Sequence, residues 1–186
     1  GNTAMDCCRS SRRLGGDDGL DRLAAREEAP RRAGRARSSR NGVVDLSAAD
    51  TLVLAWHGSR NPAGRELIER IARRVSGRLP GRAVHVAWVD IEPVQLAETL
   101  AEVGDCVLVP CFLAAGYHAT HDVPEAVASV PHEVLVAPHL NGALDGVLLD
   151  RVREAGGPGD AVVLAAAGSK SPVATAEVDA TAARLS

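Results

Sequence analysis

Thr51-Leu-Val-Leu-Ala-Trp-His57-Gly-Ser-Arg-Asn-Pro62 decides the fold, because the chain carries it twice. The second copy is Ala161-Val-Val-Leu-Ala-Ala-Ala167-Gly-Ser-Lys-Ser-Pro172. Counted from Asp50 and Asp160, seven of thirteen positions are identical: the Asp, Val-Leu-Ala, Gly-Ser and Pro. Each copy reads as an apolar strand, a Gly-Ser turn and a helix begun at proline, so the chain holds a duplicated α/β unit. His57 is replaced by Ala167 in the second copy. The turn is therefore architecture, and the histidine needs an explanation of its own.

Working outward, strands and helices alternate. Thr51–Trp56 is a continuous apolar run, as expected of a strand buried on both faces. Ala63–Leu79 is predicted as a helix with Leu67, Ile68, Ile71 and Val75 on one stripe. Further strands are expected at Ala83–Val89, Asp105–Val109, Glu133–Ala137 and Ala161–Ala166. The intervening helices are expected at Val94–Val103, near Pro124–Val130, at Ala143–Ala155 and at Val173–Leu185. This alternation implies an α/β fold with a parallel sheet and helices on both faces, a Rossmann-like three-layer domain followed by a truncated second repeat. The expected divisions are 1–46, a disordered or non-native segment; 47–156, the α/β domain; and 160–186, the start of the second repeat.

Composition bounds the function. The 186 residues are 46% hydrophobic and only 2% aromatic, so the core must be built from Val, Leu and Ala. No apolar run approaches the ~20 residues of a membrane span. Four cysteines that include the vicinal Cys7-Cys8 form no disulfide framework, which fits a reducing cytoplasm. Residues 1–46 hold ten Arg and seven acids, and the rest eleven Lys or Arg and seventeen acids. The interleaved acids argue against a nucleic-acid-binding arm. No G-x-G-x-x-G is present, which argues against a nucleotide.

Parallel sheets of this kind bind ligands beyond the carboxyl ends of their strands. His57 follows the first strand, Asp90 the second, His118 lies in the loop after the third, His139 follows the fourth and Ser169 the fifth. Two imidazoles with a carboxylate suit a borderline divalent metal, and imidazole can also accept protons near neutrality. There is no helical H-x-x-x-H pair and no C-x-x-C, so an open site that releases its metal fits better than a structural zinc site. Plainer readings stand beside these: His57 could bond backbone in a tight turn, Asp90 could cap the next helix, and His121 could be solvated surface. His139 reads as structural or substrate-lining. Cys106 and Cys111, five apart, point to opposite faces and form no metal pair.

Leu54-Ala-Trp-His57-Gly-Ser-Arg-Asn-Pro62, Val109-Pro-Cys-Phe-Leu-Ala-Ala-Gly116-Tyr-His118-Ala-Thr-His-Asp122-Val-Pro124 and Ala137-Pro-His-Leu140 resemble the sirohydrochlorin chelatases of the CbiX/SirB type, the class II chelatases. The resemblance implies an ATP-independent lyase that inserts Co²⁺ or Fe²⁺, and in some members Ni²⁺, into sirohydrochlorin on the route to cobalamin or siroheme. The family's two metal-handling histidines correspond to His57 and His118. Its carboxylate after strand two corresponds to Asp90, where the family often has Glu. A polycarboxylate tetrapyrrole is then expected to meet Gly58, Ser59, Arg60, Gly116, Tyr117 and Ser169. Longer members enclose the ring between two complete domains, so the resemblance implies that this chain, with its short second repeat, is either a fragment or completes its cleft as a homodimer, as short members do. A metal or tetrapyrrole carrier, or an inactive fragment, is the alternative expectation.

Overall fold

The structure is a computed structural model that describes residues 49–92, 95–157 and 161–185. The expectation for residues 1–46 lies outside the described residues. Among the described residues four parallel strands form one sheet: β1 (Thr51–Trp56), β2 (Ala83–Trp88), β3 (Cys106–Pro110) and β4 (Val134–Val136), in the order β2-β1-β3-β4. Helices α1 (Pro62–Ser76), α2 (Leu96–Val103), α3 (Val123–Ala128), α4 (Asp145–Glu154) and α5 (Pro172–Arg184) alternate with and follow them. Among the described residues no helix is long and apolar enough to cross a membrane.

The register explains why β1 reads as an unbroken apolar run. It pairs Leu52 with Val84 on one side and with Val107 on the other, so both neighbours and both faces are protein. Alternate residues feed two cores. Val53, Ala55, Ala87, Cys106, Leu108 and Val134 pack with Leu96 and Leu100 of α2 and Val123 and Val127 of α3. Leu52, Leu54 and Val107 pack with Ala72 of α1 on the opposite face. Leu100 and Leu108 are fully buried. Each such side chain contributes about 2–3 kcal/mol relative to exposure. The stripe on α1 is thinner than its sequence suggests, since Leu67 remains 44% exposed and only Ala72 is buried. Cys106 and Cys111 fall in opposite cores, as their spacing requires.

Two elements depart from the sequence pattern. The fifth strand, expected at Ala161–Ala166, does not form: residues 161–169 pair with no strand, and Val163 is 89% exposed. Apolar β-branched residues favour a strand only where a neighbour supplies its hydrogen bonds. Instead of extending the sheet, this segment lines a cavity of about 420 Å³ together with Leu113, Leu140 and Leu144 of the loops beyond β3 and β4. The turn after it still copies the first. Gly168, like Gly58, has positive φ. Ser169 Oγ accepts the Ser171 N–H at 3.1 Å, as Ser59 Oγ accepts that of Asn61 at 3.2 Å.

The second departure lies after β3. The helix expected near Pro124 starts earlier, with a π-helical turn at His118–Asp122 in which Val123 N–H reaches His118 O. Pro124 has no N–H to give Thr120, so the first regular bond of α3 is missing and the turn widens.

Candidate metal centre

The strand order reverses between β1 and β3: the chain leaves β1 for β2 on one side and returns to β3 on the other. Loops diverge at the carboxyl ends of such a pair and leave a crevice. The ladder runs to the rim of this crevice, with Val89 N–H bonded to Trp56 O at 2.9 Å and Cys111 N–H to Ala55 O at 2.8 Å. His57 is the next residue after Trp56.

The turn there depends on glycine. Gly58 has φ +107°, and a Cβ on it would lie 2.3 Å from the carbonyl oxygen of Asp90. The missing side chain therefore lets the β2 loop close against the β1 turn, which brings Asp90 beside His57. The loop is itself strained: Ile91, β-branched and 40% exposed, has φ 70°. Such a conformation costs about 1–2 kcal/mol outside glycine. Asp90 Oδ1 accepts the Ile91 N–H at 2.7 Å, holding the carboxylate near the backbone.

His118 comes from the π turn. Its ring stands 4.5 Å, centroid to centroid, from that of His57, at an interplanar angle of 40°. Nδ1 of His118 makes a short hydrogen bond to Asp122 Oδ2, one turn on. With Asp122 ionised, Nδ1 carries the proton and Nε2 keeps its lone pair for a ligand. One donor atom each from His57, Asp90 and His118 lies within 4.8 Å of the others. Two imidazole nitrogens and a carboxylate oxygen can together hold a divalent first-row cation and leave coordination positions open.

Neither thiol among the described residues, Cys106 or Cys111, belongs to the cluster. Burial pushes Cys111 up to about 12, and burial with the Asp105 charge pushes Cys106 up to about 11, so both stay protonated near neutrality.

Other expected residues are placed as follows. Arg60 is exposed at the rim. Ser59 is engaged in its own turn, donating to Asn61 O at 3.3 Å as well as accepting from Asn61 N–H. Gly116 opens the π turn, its carbonyl accepting from Thr120 N–H at 3.2 Å, and a Cβ there would meet nothing within 4 Å. Tyr117 is 65% exposed and stacks on His121, centroids 4.5 Å apart and planes 4° from parallel. His121 is thus surface, but paired. Ser169 follows an unpaired segment rather than a strand and lines the cavity described above. Arg65 forms an ion pair with Glu92 at 3.3 Å, and Glu92 is only 10% exposed. His139 lies 3.2 Å from the Glu177 carboxylate. Asp122, Glu92 and Glu177 were not singled out from the sequence. The His118/Asp122 spacing of four was the available signal for the first; the other two act across 27 and 38 residues, where no local pattern reports them.

The family model CbiX matches residues 51–155. The chain belongs to the CbiX family. Curated relatives include sirohydrochlorin cobaltochelatases of Methanopyrus kandleri, 35% identical over 85 residues, and of Methanocaldococcus jannaschii, 34% over 86. The matched regions cover 43% and 44% of this chain and 59% and 60% of those proteins, so the chain spans about three-fifths of their length. The CbiX fold is seen in the sirohydrochlorin chelatase SirB from Bacillus subtilis subspecies spizizenii in complex with cobalt. The TM-score is 0.56 and the identity 14%, covering 73% of this chain and 61% of that one. A CbiX described as the terminal enzyme for biosynthesis of siroheme in denitrifying bacteria aligns at TM-score 0.53 and 23% identity, covering 73% and 63%.

Proposed function

We propose that this CbiX-family chain is a sirohydrochlorin chelatase, a lyase that inserts Co²⁺ or Fe²⁺ into the tetrapyrrole without ATP. The observation that carries the reading is the convergence of His57, Asp90 and His118 at the point where the strand order reverses. The metal ion is a substrate. Insertion must strip water from it, pass it to four ring nitrogens and remove two pyrrolic protons. Neutral imidazoles bind such an ion weakly enough to release it, and they accept protons as it leaves. His57, exposed and with no hydrogen bond to its ring among the described residues, is the freer acceptor. His118 is held by Asp122 and orients the ion. Asp90 supplies charge to the incoming cation.

The exposed Tyr117–His121 pair offers a flat surface 6.1 Å, ring to ring, from His118, against which a planar macrocycle can stack. Arg60 and the N–H groups of the Gly58-Ser59 turn suit the substrate's carboxylates. A homodimer would cover the ring's second face. The expected compartment is the cytoplasm.

The second reading is a metal carrier, favoured because the three donors form a site within one four-stranded unit, with or without a ring. Anaerobic incubation with a large excess of sirohydrochlorin and Co²⁺, followed by visible absorption, separates the two. Many metallations per protein, faster than the uncatalysed reaction, support the chelatase. Metallation no faster than without protein, with cobalt bound, supports the carrier.

A further inference from the structure

The second repeat differs from the first at a position that reaches both of the site's supporting loops. With the two copies aligned on Pro62 and Pro172, Glu177 of α5 occupies the place of Leu67 in α1. Leu67 is a half-exposed apolar residue. Glu177 instead turns inward: its side chain is 21% exposed, and Oε2 accepts the backbone N–H of Ala115 at 2.6 Å while lying 3.2 Å from Nε2 of His139.

Those two partners belong to the two loops that follow β3 and β4. Ala115 is itself buried, three residues before His118, at the head of the π turn. The same loops are joined by Leu140 N–H to Phe112 O at 2.9 Å. A largely buried carboxylate is tolerated only where donors meet it, and a short amide-to-carboxylate bond is among the stronger ones. Elsewhere α5 is held by Arg184, bonded to Asp145, and by Thr181, one turn after Glu177 and 3.4 Å from Asn141; neither of these bonds reaches the segment before His118. Among the described residues, Glu177 is the α5 side chain hydrogen-bonded to the segment leading to His118.

We propose that Glu177 is a positioning residue for metal handling: by clamping Ala115 and His139 it fixes the turn that presents His118 to His57. The second repeat then serves the first by bracing its histidine-bearing loop. This inference rests on the function proposed above, so its test reads both metal binding and the loop itself.

The full chain is compared with Glu177→Ala, Glu177→Asp and Glu177→Gln. Co²⁺ affinity is measured by titration, and the His118 imidazole resonances are followed by NMR, assigned with His118→Gln. Ala removes the clamp, and Asp retracts the carboxylate by one methylene while keeping its charge. Both are expected to weaken cobalt binding about tenfold and to shift the His118 resonances. Gln keeps an oxygen that accepts the Ala115 N–H and is expected to restore most of the affinity. If Ala fails to fold, Asp against Gln carries the comparison. Wild-type affinity and unmoved His118 resonances in Ala and Asp, even with a lowered melting temperature, overturn the proposal. If the wild-type chain takes no cobalt, the proposed function fails; the resonances alone then decide, with a shift in Asp supporting the clamp and none overturning it.

Discussion

Gly58→Ala tests whether the metal centre is built by the close approach of two loops. The added Cβ would stand 2.3 Å from Asp90 O, and real Cβ contacts do not fall below 3.0 Å, so the β2 loop must retreat by about 0.7 Å or more. The blocking atom is backbone, and Ile91 Cβ, 3.1 Å away, closes the other side, so no rotamer change relieves the clash. Alanine at φ +107° adds about 1–2 kcal/mol of strain, and displacement of a packed loop brings the total to about 3 kcal/mol. Metal ligands tolerate misplacement of only about 0.2 Å, so Asp90 is lost as a ligand, and cobalt affinity should fall about tenfold or more. Thermal unfolding by circular dichroism and a Co²⁺ titration read the two effects. Gly116→Ala is the control: a Cβ there meets open space, and the change should stay within about 0.5 kcal/mol. Wild-type stability together with wild-type cobalt affinity in Gly58→Ala would refute the reasoning.

Three further outcomes are expected. Asp122→Asn removes the charge that holds the His118 Nδ1 proton, and cobalt affinity should drop about 10- to 100-fold with the fold intact, as checked by titration and circular dichroism. Leu108→Ala, at a fully buried position in the central core, should cost about 3–4 kcal/mol in urea unfolding. Cys106 and Cys111 ionise less readily folded than unfolded, so their contribution to stability is full below about pH 9. It declines as pH rises from the ordinary thiol value of about 9.0 toward about 11 and 12, because the unfolded state sheds its thiol protons first. Denaturation midpoints measured from pH 7 to 11 should show that decline, and iodoacetamide should label the two thiols far faster in denaturant.

What could be read from the sequence was what local pattern encodes. The run Thr51–Trp56 declared a strand with neighbours on both sides, and its boundaries match those observed. The rule that ligands gather beyond strand ends placed His57, Asp90 and His118 at one edge, and the fold brings their donor atoms together. The failures have physical causes. The segment from Ala161 has the composition of a strand but no strand beside it, and composition cannot supply a partner. The π turn depends on a donor that Pro124 lacks, an absence that is visible in sequence but whose structural result is not. The ion pair of Arg65 with Glu92 and the reach of Glu177 to Ala115 are long-range contacts, set by packing rather than by spacing. Asp122 lay in plain view in the quoted motif, and its distance of four from His118 is what their side-chain contact on one helical turn requires.

The most direct measurement is the initial rate of cobalt insertion into sirohydrochlorin under anaerobic conditions, with wild type, His57→Ala and His118→Ala at equal concentrations of folded protein. The expected result is insertion well above the uncatalysed rate for wild type and a return to near that rate in both variants. Wild-type rates in either variant would contradict a shared two-histidine centre, and no acceleration by the wild-type chain would contradict the chelatase itself.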